Sequence, residues 1–378
     1  MNNNPLVKLE AFGQSIWIDF IRRGTILSGE LKKLIDEDGI TGVTSNPSIF
    51  EKAIGGSNDY DEAIHALADG GKSMEQIYES LAVEDIQHAA DLFRPVYNRL
   101  DGADGFVSLE VSPRLANNTP LTIAEARRLW KEVARPNVMI KVPATTQGLP
   151  AIEQLIGEGI NVNITLLFGL PRYRKVAEAY IAGLETLVAQ GKSLKSVASV
   201  ASFFLSRIDS LLDPTLEQLI ATDKSQKEFA EQCHGQVAIL SAKAAYQIYR
   251  ELFGGARFGK LKALGARTQR LLWASTSTKN SAYDELKYME ALIGPNTINT
   301  VPSETLTAYR DHGKPAVRLD TDAAKAATIL GRLKELGIDL DAATKKLEEE
   351  GVRKFAKAFD GLMKAIKEKQ SMAQTLKA

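Results

Sequence analysis

The feature that most constrains this chain is the recurrence of eight short apolar runs, each separated from the next by a stretch with helical periodicity. The runs are SIWIDFI (15–21), GVTSNPSIF (42–50), GFVSLEVS (105–112), VMIKVPA (138–144), NVNITLLF (161–168), VASVASFFLS (197–206), RLLWAST (270–276) and NTVP (299–302). They are continuous rather than alternating, the pattern of strands buried on both faces, as in parallel sheets. Helical signatures lie between them. SGELKKLIDEDG has Ser28 as an N-cap and Gly39 as a stop, and TIAEARRLWKEVA opens on a Thr122 to Glu125 capping box. Strands alternating with helices predict a parallel α/β fold, and eight is the number that closes a (β/α)8 TIM barrel. An open doubly wound sheet is the alternative, but no G-x-G-x-x-G follows the first strand and no Walker sequence is present.

One barrel domain over 1–378 accommodates the whole chain, with a helical insertion at about 207–265 between strands six and seven. A C-terminal helical segment follows at about 320–370. In it Val352, Phe355, Phe359, Leu362 and Ile366 recur at steps of three and four, an apolar face for docking on the barrel. The 47 basic residues balance 47 acidic ones, which gives no support for wholesale binding to nucleic acid or an anionic membrane. The insertion ends in ARFGKLKALGARTQR, five basic residues with no acidic one, read as a solvated connection rather than an RNA-facing patch. The single cysteine, Cys233, allows no internal disulfide and no cysteine-based metal site, so a cytoplasmic protein is expected. No apolar stretch approaches the length of a membrane span.

Against this apolar background a few polar residues stand out. Lys141 lies among Val138, Met139, Ile140, Val142 and Pro143. Burying an ammonium costs several kcal/mol, and such a group commonly sheds its proton to become a neutral, nucleophilic amine. On its strand alone, Lys141 is better read as a structural ion pair, or as snorkelling out of the strand end, than as a nucleophile. The neighbouring strands change that balance, because strand one carries Asp19, strand two Thr44 and Asn46, and strand three Ser108 and Glu110. Strand five carries Asn163 and Thr165, and strand six Ser202 with Arg207 just beyond. A barrel places its site at the C-terminal strand ends, so these residues form a ring there. A lysine with two carboxylates supports carbon–carbon cleavage through an imine, in which Asp19 and Glu110 manage protons. Asn46, Asn163 and Ser202, beside Thr44 and Ser108, have the donors and acceptors for substrate hydroxyls. Farther out, Arg207, Ser275 and Lys279 suit a phosphate.

The strings SIWIDFIRR, GVTSNPSIF, VSLEVSPRLA, MIKVPATTQGLPAI, GINVNITLLF and WASTSTKN, with EGVRKFAKAFDGL near the end, together resemble the transaldolases, in the longer bacterial form. The resemblance runs from about residue 10 to residue 370. It implies transfer of a dihydroxyacetone unit between sugar phosphates, with no metal or organic cofactor, in a monomer or homodimer. It also implies Lys141 as the Schiff-base lysine, Asp19 as the acid/base at the cleaved bond, and Glu110 with Thr165 positioning a catalytic water. Phe204 is implied as a pocket wall, and Arg207 and Ser275 as phosphate ligands. One departure is that Ser277 stands where many members have an arginine, which leaves Lys279 as the second phosphate cation. A class I aldolase releasing free dihydroxyacetone would use the same ring. A barrel retired from catalysis predicts an eroded ring, yet Lys141, Asp19 and Glu110 all stand.

Overall fold

The computed structural model describes residues 4–377, with side chains to residue 371. Eight parallel strands close a barrel: β1 (Gln14–Ile18), β2 (Gly42–Val43), β3 (Phe106–Glu110), β4 (Val138–Pro143), β5 (Val162–Leu167), β6 (Ser199–Phe204), β7 (Arg270–Ala274) and β8 (Thr297–Val301). Each strand pairs with the next in sequence, and β8 pairs back with β1. The expected (β/α)8 architecture is therefore observed. Four helices, Ser206–Thr222, Lys227–Cys233, Val237–Gly254 and Ala256–Ala263, fill the segment between β6 and β7.

The lower barrel is closed by Trp17, fully buried and aligned in register with Gly42 of β2. A Cβ on Gly42 would lie 2.5 Å from the indole ring, so glycine is required here for close approach rather than for backbone conformation. The indole Nε1 donates to Asp104 at 2.8 Å, which prevents the ring from swinging aside. Gly42→Ala is expected to cost about 1–3 kcal/mol through overpacking, read as a lower urea midpoint with an unchanged m-value.

Local boundaries depart from expectation where capping chemistry overrides apolar pattern. The run 42–50 does not continue as a strand: β2 stops at Val43, and Asn46 caps the helix Pro47–Gly55 by accepting from the Ile49 N–H at 3.0 Å. Ser28 is not the N-cap of the helix Glu30–Asp38; Gly29, at φ 83°, occupies that place, while Gly39 ends the helix as expected. Thr122 lies inside the helix Thr119–Val133, which Asn118 caps. Its hydroxyl donates to Leu115 O instead, and Glu125 accepts from Ser112 N. The basic run 257–270 is partly committed within the protein. Arg257 pairs with Glu185, Arg267 donates to Gly102 O, and Arg270 reaches into the barrel floor to Asp104.

The C-terminal helix Leu340–Lys377 buries Phe355, Phe359, Leu362 and Ile366, as its periodicity predicts. It packs along the Pro47–Gly55 helix, across the end of the barrel where the strands terminate. Among the described residues no helix is long and apolar enough to cross a membrane.

Candidate active site

Lys141 sits in β4 with its register partners Glu110 on β3 and Asn163 on β5, so three polar side chains of adjacent strands share one level of the barrel interior. Lys141 is 3% exposed. Its Nζ donates to Ser45 O at 3.0 Å and lies 3.3 Å from Glu110 Oε2. That contact is an ion pair without hydrogen-bond alignment: neither Glu110 oxygen has a hydrogen-bond partner within the protein, and nor does the buried Thr165 hydroxyl. Burial pushes the Glu110 carboxyl up to about 7. The Lys141 cation opposes this rise and the Asp19 charge adds to it.

Asp19 follows directly on β1, its N–H bonded to Val301 O at 2.8 Å. Thr44 donates to Asp19 Oδ1 at 2.6 Å, and its hydroxyl also meets Thr300 Oγ1 at 2.7 Å, so the carboxylate is aimed by a two-hydroxyl relay. Burial raises its pKa above the usual carboxylate value, against the pull of Lys141 and the Thr44 hydrogen bond. On the far side of Lys141 a second relay runs through the interior. Ser202 donates to Asn163 Oδ1 at 2.7 Å, and Asn163 Nδ2 donates to Ser108 Oγ at 3.0 Å. This fixes which end of the Asn163 amide points toward Ser202.

The strand ends open into a cavity of about 500 Å³, a volume that admits a phosphorylated sugar. Asp19, Thr44, Asn46, Lys141, Ser202, Phe204, Arg207, Ser275 and Lys279 all line it. Ser108, Glu110, Asn163 and Thr165 lie behind that wall. Glu110, Asn163 and Ser108 are joined to it through Lys141 and Ser202, and Thr165 stands level with Pro143 in the β4–β5 register. Nine of the residues expected from the sequence thus line one cavity, and the other four lie in the strands behind it.

Arg207, in the first turn of the helix Ser206–Thr222, lies over the Phe204 ring at 5.5 Å and keeps a buried Nη1 without a hydrogen-bond partner. Burial holds its pKa below the ordinary arginine value, partly offset by Glu350 and Asp19. Ser275 adopts a left-handed backbone, φ 55°, and its hydroxyl meets Ser206 Oγ at 2.9 Å. Such a conformation in a non-glycine residue concentrates at functional sites. Lys279 Nζ donates to Ser277 Oγ at 2.7 Å, so the serine at the departing position supports the lysine that flanks it.

Sequence reasoning missed many lining residues, among them Arg22, Lys52, Thr300, Glu304 and Phe355. Arg22 is held by Asp59 in a two-point ion pair, and Lys52 projects from the helix that Asn46 caps. An arginine directly after the first strand was the one available signal for Arg22. Phe355 was visible only as part of an apolar helix face. A groove of similar size, about 530 Å³, lies between the Met74–Arg99 and Thr119–Val133 helices and reaches Glu110 of β3. Its rim arginines, Arg114 and Arg128, are already paired with Glu75 and Glu79. Among the described residues no group of three or more histidine, cysteine, aspartate or glutamate side chains could hold a metal ion.

Comparison with known proteins agrees with this geometry. The family model described as transaldolase/fructose-6-phosphate aldolase matches residues 16–366. The chain is 47% identical over 373 residues to a transaldolase of Trichodesmium erythraeum, covering 98% of both chains. It is 45% identical over 375 residues to a transaldolase of Saccharopolyspora erythraea, covering 98% of this chain and 99% of the relative. It is also 45% identical over 365 residues to a protein named transaldolase 2 of Streptomyces coelicolor, covering 96% of each. A closed eight-stranded barrel with a buried lysine flanked by carboxylates, and a match over nearly its whole length, place this chain in the transaldolase/fructose-6-phosphate aldolase family.

Proposed function

We propose that the protein is a transaldolase that moves a dihydroxyacetone unit from a ketose phosphate to an aldose phosphate, with Lys141 as the covalent carrier. The observation that carries the assignment of roles is the buried contact of Lys141 with Glu110 at 3.3 Å, in a cavity that Asp19 enters from the opposite side. In this reading Lys141 passes its proton to the Glu110 carboxylate across that contact, and the resulting amine attacks the ketose C2 carbonyl. Glu110 and Thr165, whose side-chain oxygens make no hydrogen bond within the protein, hold a water that carries protons as the carbinolamine loses water and becomes an imine. Asp19 then takes the proton from the C4 hydroxyl as the C3–C4 bond breaks. The electron pair moves into the imine, leaving an enamine on Lys141 and releasing an aldose phosphate. Addition of the enamine to a second aldose phosphate, and hydrolysis, reverse these steps.

Ser202 and Asn163, aligned by Ser108, and Asn46 with Thr44 hold the sugar hydroxyls. Phe204 walls the pocket. Arg207 supplies a forked donor to the phosphate, and Ser275 and Lys279 complete its seat. A lysine in place of the family's usual arginine offers a point charge without the fork, compensated here by the Ser277 hydrogen bond that orients it. The barrel, the helical insertion and the C-terminal helix are read as one domain, supported by the C-terminal helix supplying a wall of the cavity. A cytoplasmic setting is consistent with Cys233, buried and unpaired.

Mixing fructose 6-phosphate with erythrose 4-phosphate tests the reading. Sedoheptulose 7-phosphate and glyceraldehyde 3-phosphate should appear together, at equal rates. Release of free dihydroxyacetone at the full turnover rate with no dependence on the acceptor would instead assign a simple aldolase. The pH profile adds a second check. With Glu110 titrating near 7 in the free protein, its carboxylate form is lost as pH falls through that value, so kcat/KM should decline below about 7. In Glu110→Gln this limb should vanish while the residual rate is lower at every pH.

A further inference from the structure

We propose that Phe355, delivered by the C-terminal helix, shields the Lys141 imine from water and so decides whether the bound dihydroxyacetone unit is transferred or lost. The inference rests on the transaldolase reading above. Three observations carry it. First, the Phe355 ring lies 5.9 Å from Lys141 Nζ and lines the same cavity, although its residue is only 4% exposed. Second, the helix approaches the site unusually closely: a Cβ on Gly351 would sit 2.9 Å from Leu166, which has φ 57° at the bulge directly after Thr165. Gly351 and Phe355 are one helical turn apart and share a face, so the close approach of one seats the other. Third, the helix is tied to the barrel on both sides of Phe355. Glu348 pairs with Arg172 at 3.0 Å, Asp360 with Arg114 at 2.7 Å, and Lys369 donates to Ser57 O at 2.8 Å.

The chemistry gives such a shield a purpose. After the first aldose leaves, the enamine has two fates. Addition of its C3 carbon to an aldehyde gives the product imine, whose hydrolysis at C2 completes the transfer and returns the Lys141 amine. Protonation at C3 followed by attack of water on C2 forms a carbinolamine; its C–N bond then breaks, freeing dihydroxyacetone and returning the Lys141 amine. Hydrolysis at C2 ends both fates, but only the second needs a proton delivered to C3 before the acceptor adds, so an apolar ring that keeps water away from the enamine slows it selectively. Neighbouring lining groups such as Asp19, Thr44 and Ser202 are hydrophilic and do not exclude water.

The test is the partition between transferred and free dihydroxyacetone from fructose 6-phosphate at fixed erythrose 4-phosphate. Phe355→Ala should raise the free fraction about tenfold while borohydride still labels Lys141. Phe355→Leu, which keeps apolar volume but not the ring, should shift it in the same direction by less, and remains informative where the alanine variant does not fold. Ile366→Ala is the control: Ile366 is fully buried about three turns farther along the same helix and lines neither this cavity nor the groove that reaches Glu110, so its loss loosens the helix without uncovering the imine. An unchanged partition in both Phe355 variants, or an equal shift in Ile366→Ala, overturns the shielding role. A wild-type enzyme that neither transfers nor labels at Lys141 overturns the transaldolase reading and this inference with it; transfer by the wild type with an unchanged partition in the variants removes the inference alone.

Discussion

Lys141→Met is expected to lower the rate of transfer by at least about 10⁴-fold, because without an amine there is no imine to accept electrons from the breaking bond. Methionine has nearly the length of lysine and no charge, so the cavity keeps its shape. The variant leaves Glu110 buried beside a thioether rather than a cation. Its carboxyl, already pushed up to about 7 with Lys141 present, then rises further. In the unfolded chain the same group titrates near its ordinary value of 4.5. Between that value and the folded one, the native state holds a proton that the unfolded state has lost, so stability falls as pH rises through this interval. Lys141→Met should therefore be an inactive protein that is more stable to urea at pH 5 than at pH 8. A variant that retains transfer activity would remove Lys141 from the mechanism; one that is inactive only because it does not fold at pH 5 would show that the lysine is structural.

Asp19→Asn should have the second largest effect. The amide oxygen still accepts from Thr44, which is now bonded to Asp19 at 2.6 Å, so the position is conserved while the base is lost. The reaction then stalls after imine formation, at proton removal from the C4 hydroxyl. The expected outcome is a kcat lower by about 10²–10⁴-fold with KM little changed, the usual weight of a general base. Borohydride should still trap the ketose on Lys141, since imine formation does not depend on Asp19. A variant that loses trapping and cleavage together would instead place Asp19 in imine formation or in holding Lys141.

The barrel was legible because strands buried on both faces leave continuous apolar runs, and the polar residues of the site were legible as interruptions of them. What was not legible arises from capping, register and tertiary contact. The Asn46–Pro47 pair ends β2 early and starts a helix, although Ile49 and Phe50 continue the apolar pattern. Thr122 and Glu125 match a capping box, but Asn118 begins that helix a turn sooner. The alignment of Glu110 with Lys141 is a matter of strand register, which apolar runs do not encode. Leu166 and Ser275 adopt left-handed backbone without the glycine that would have announced it. Phe355 shows why an apolar helix face is ambiguous: periodicity reveals that a face is buried, not that one of its rings is buried against Lys141.

The central claim is that a covalent imine forms at one buried lysine. Incubating the wild-type protein with fructose 6-phosphate, reducing with borohydride and mapping peptides by mass spectrometry tests it most directly. The account predicts a reduced dihydroxyacetone or hexose adduct on the peptide containing Lys141, absent from Lys141→Met. An adduct on a different lysine, or none while transfer proceeds, would contradict it.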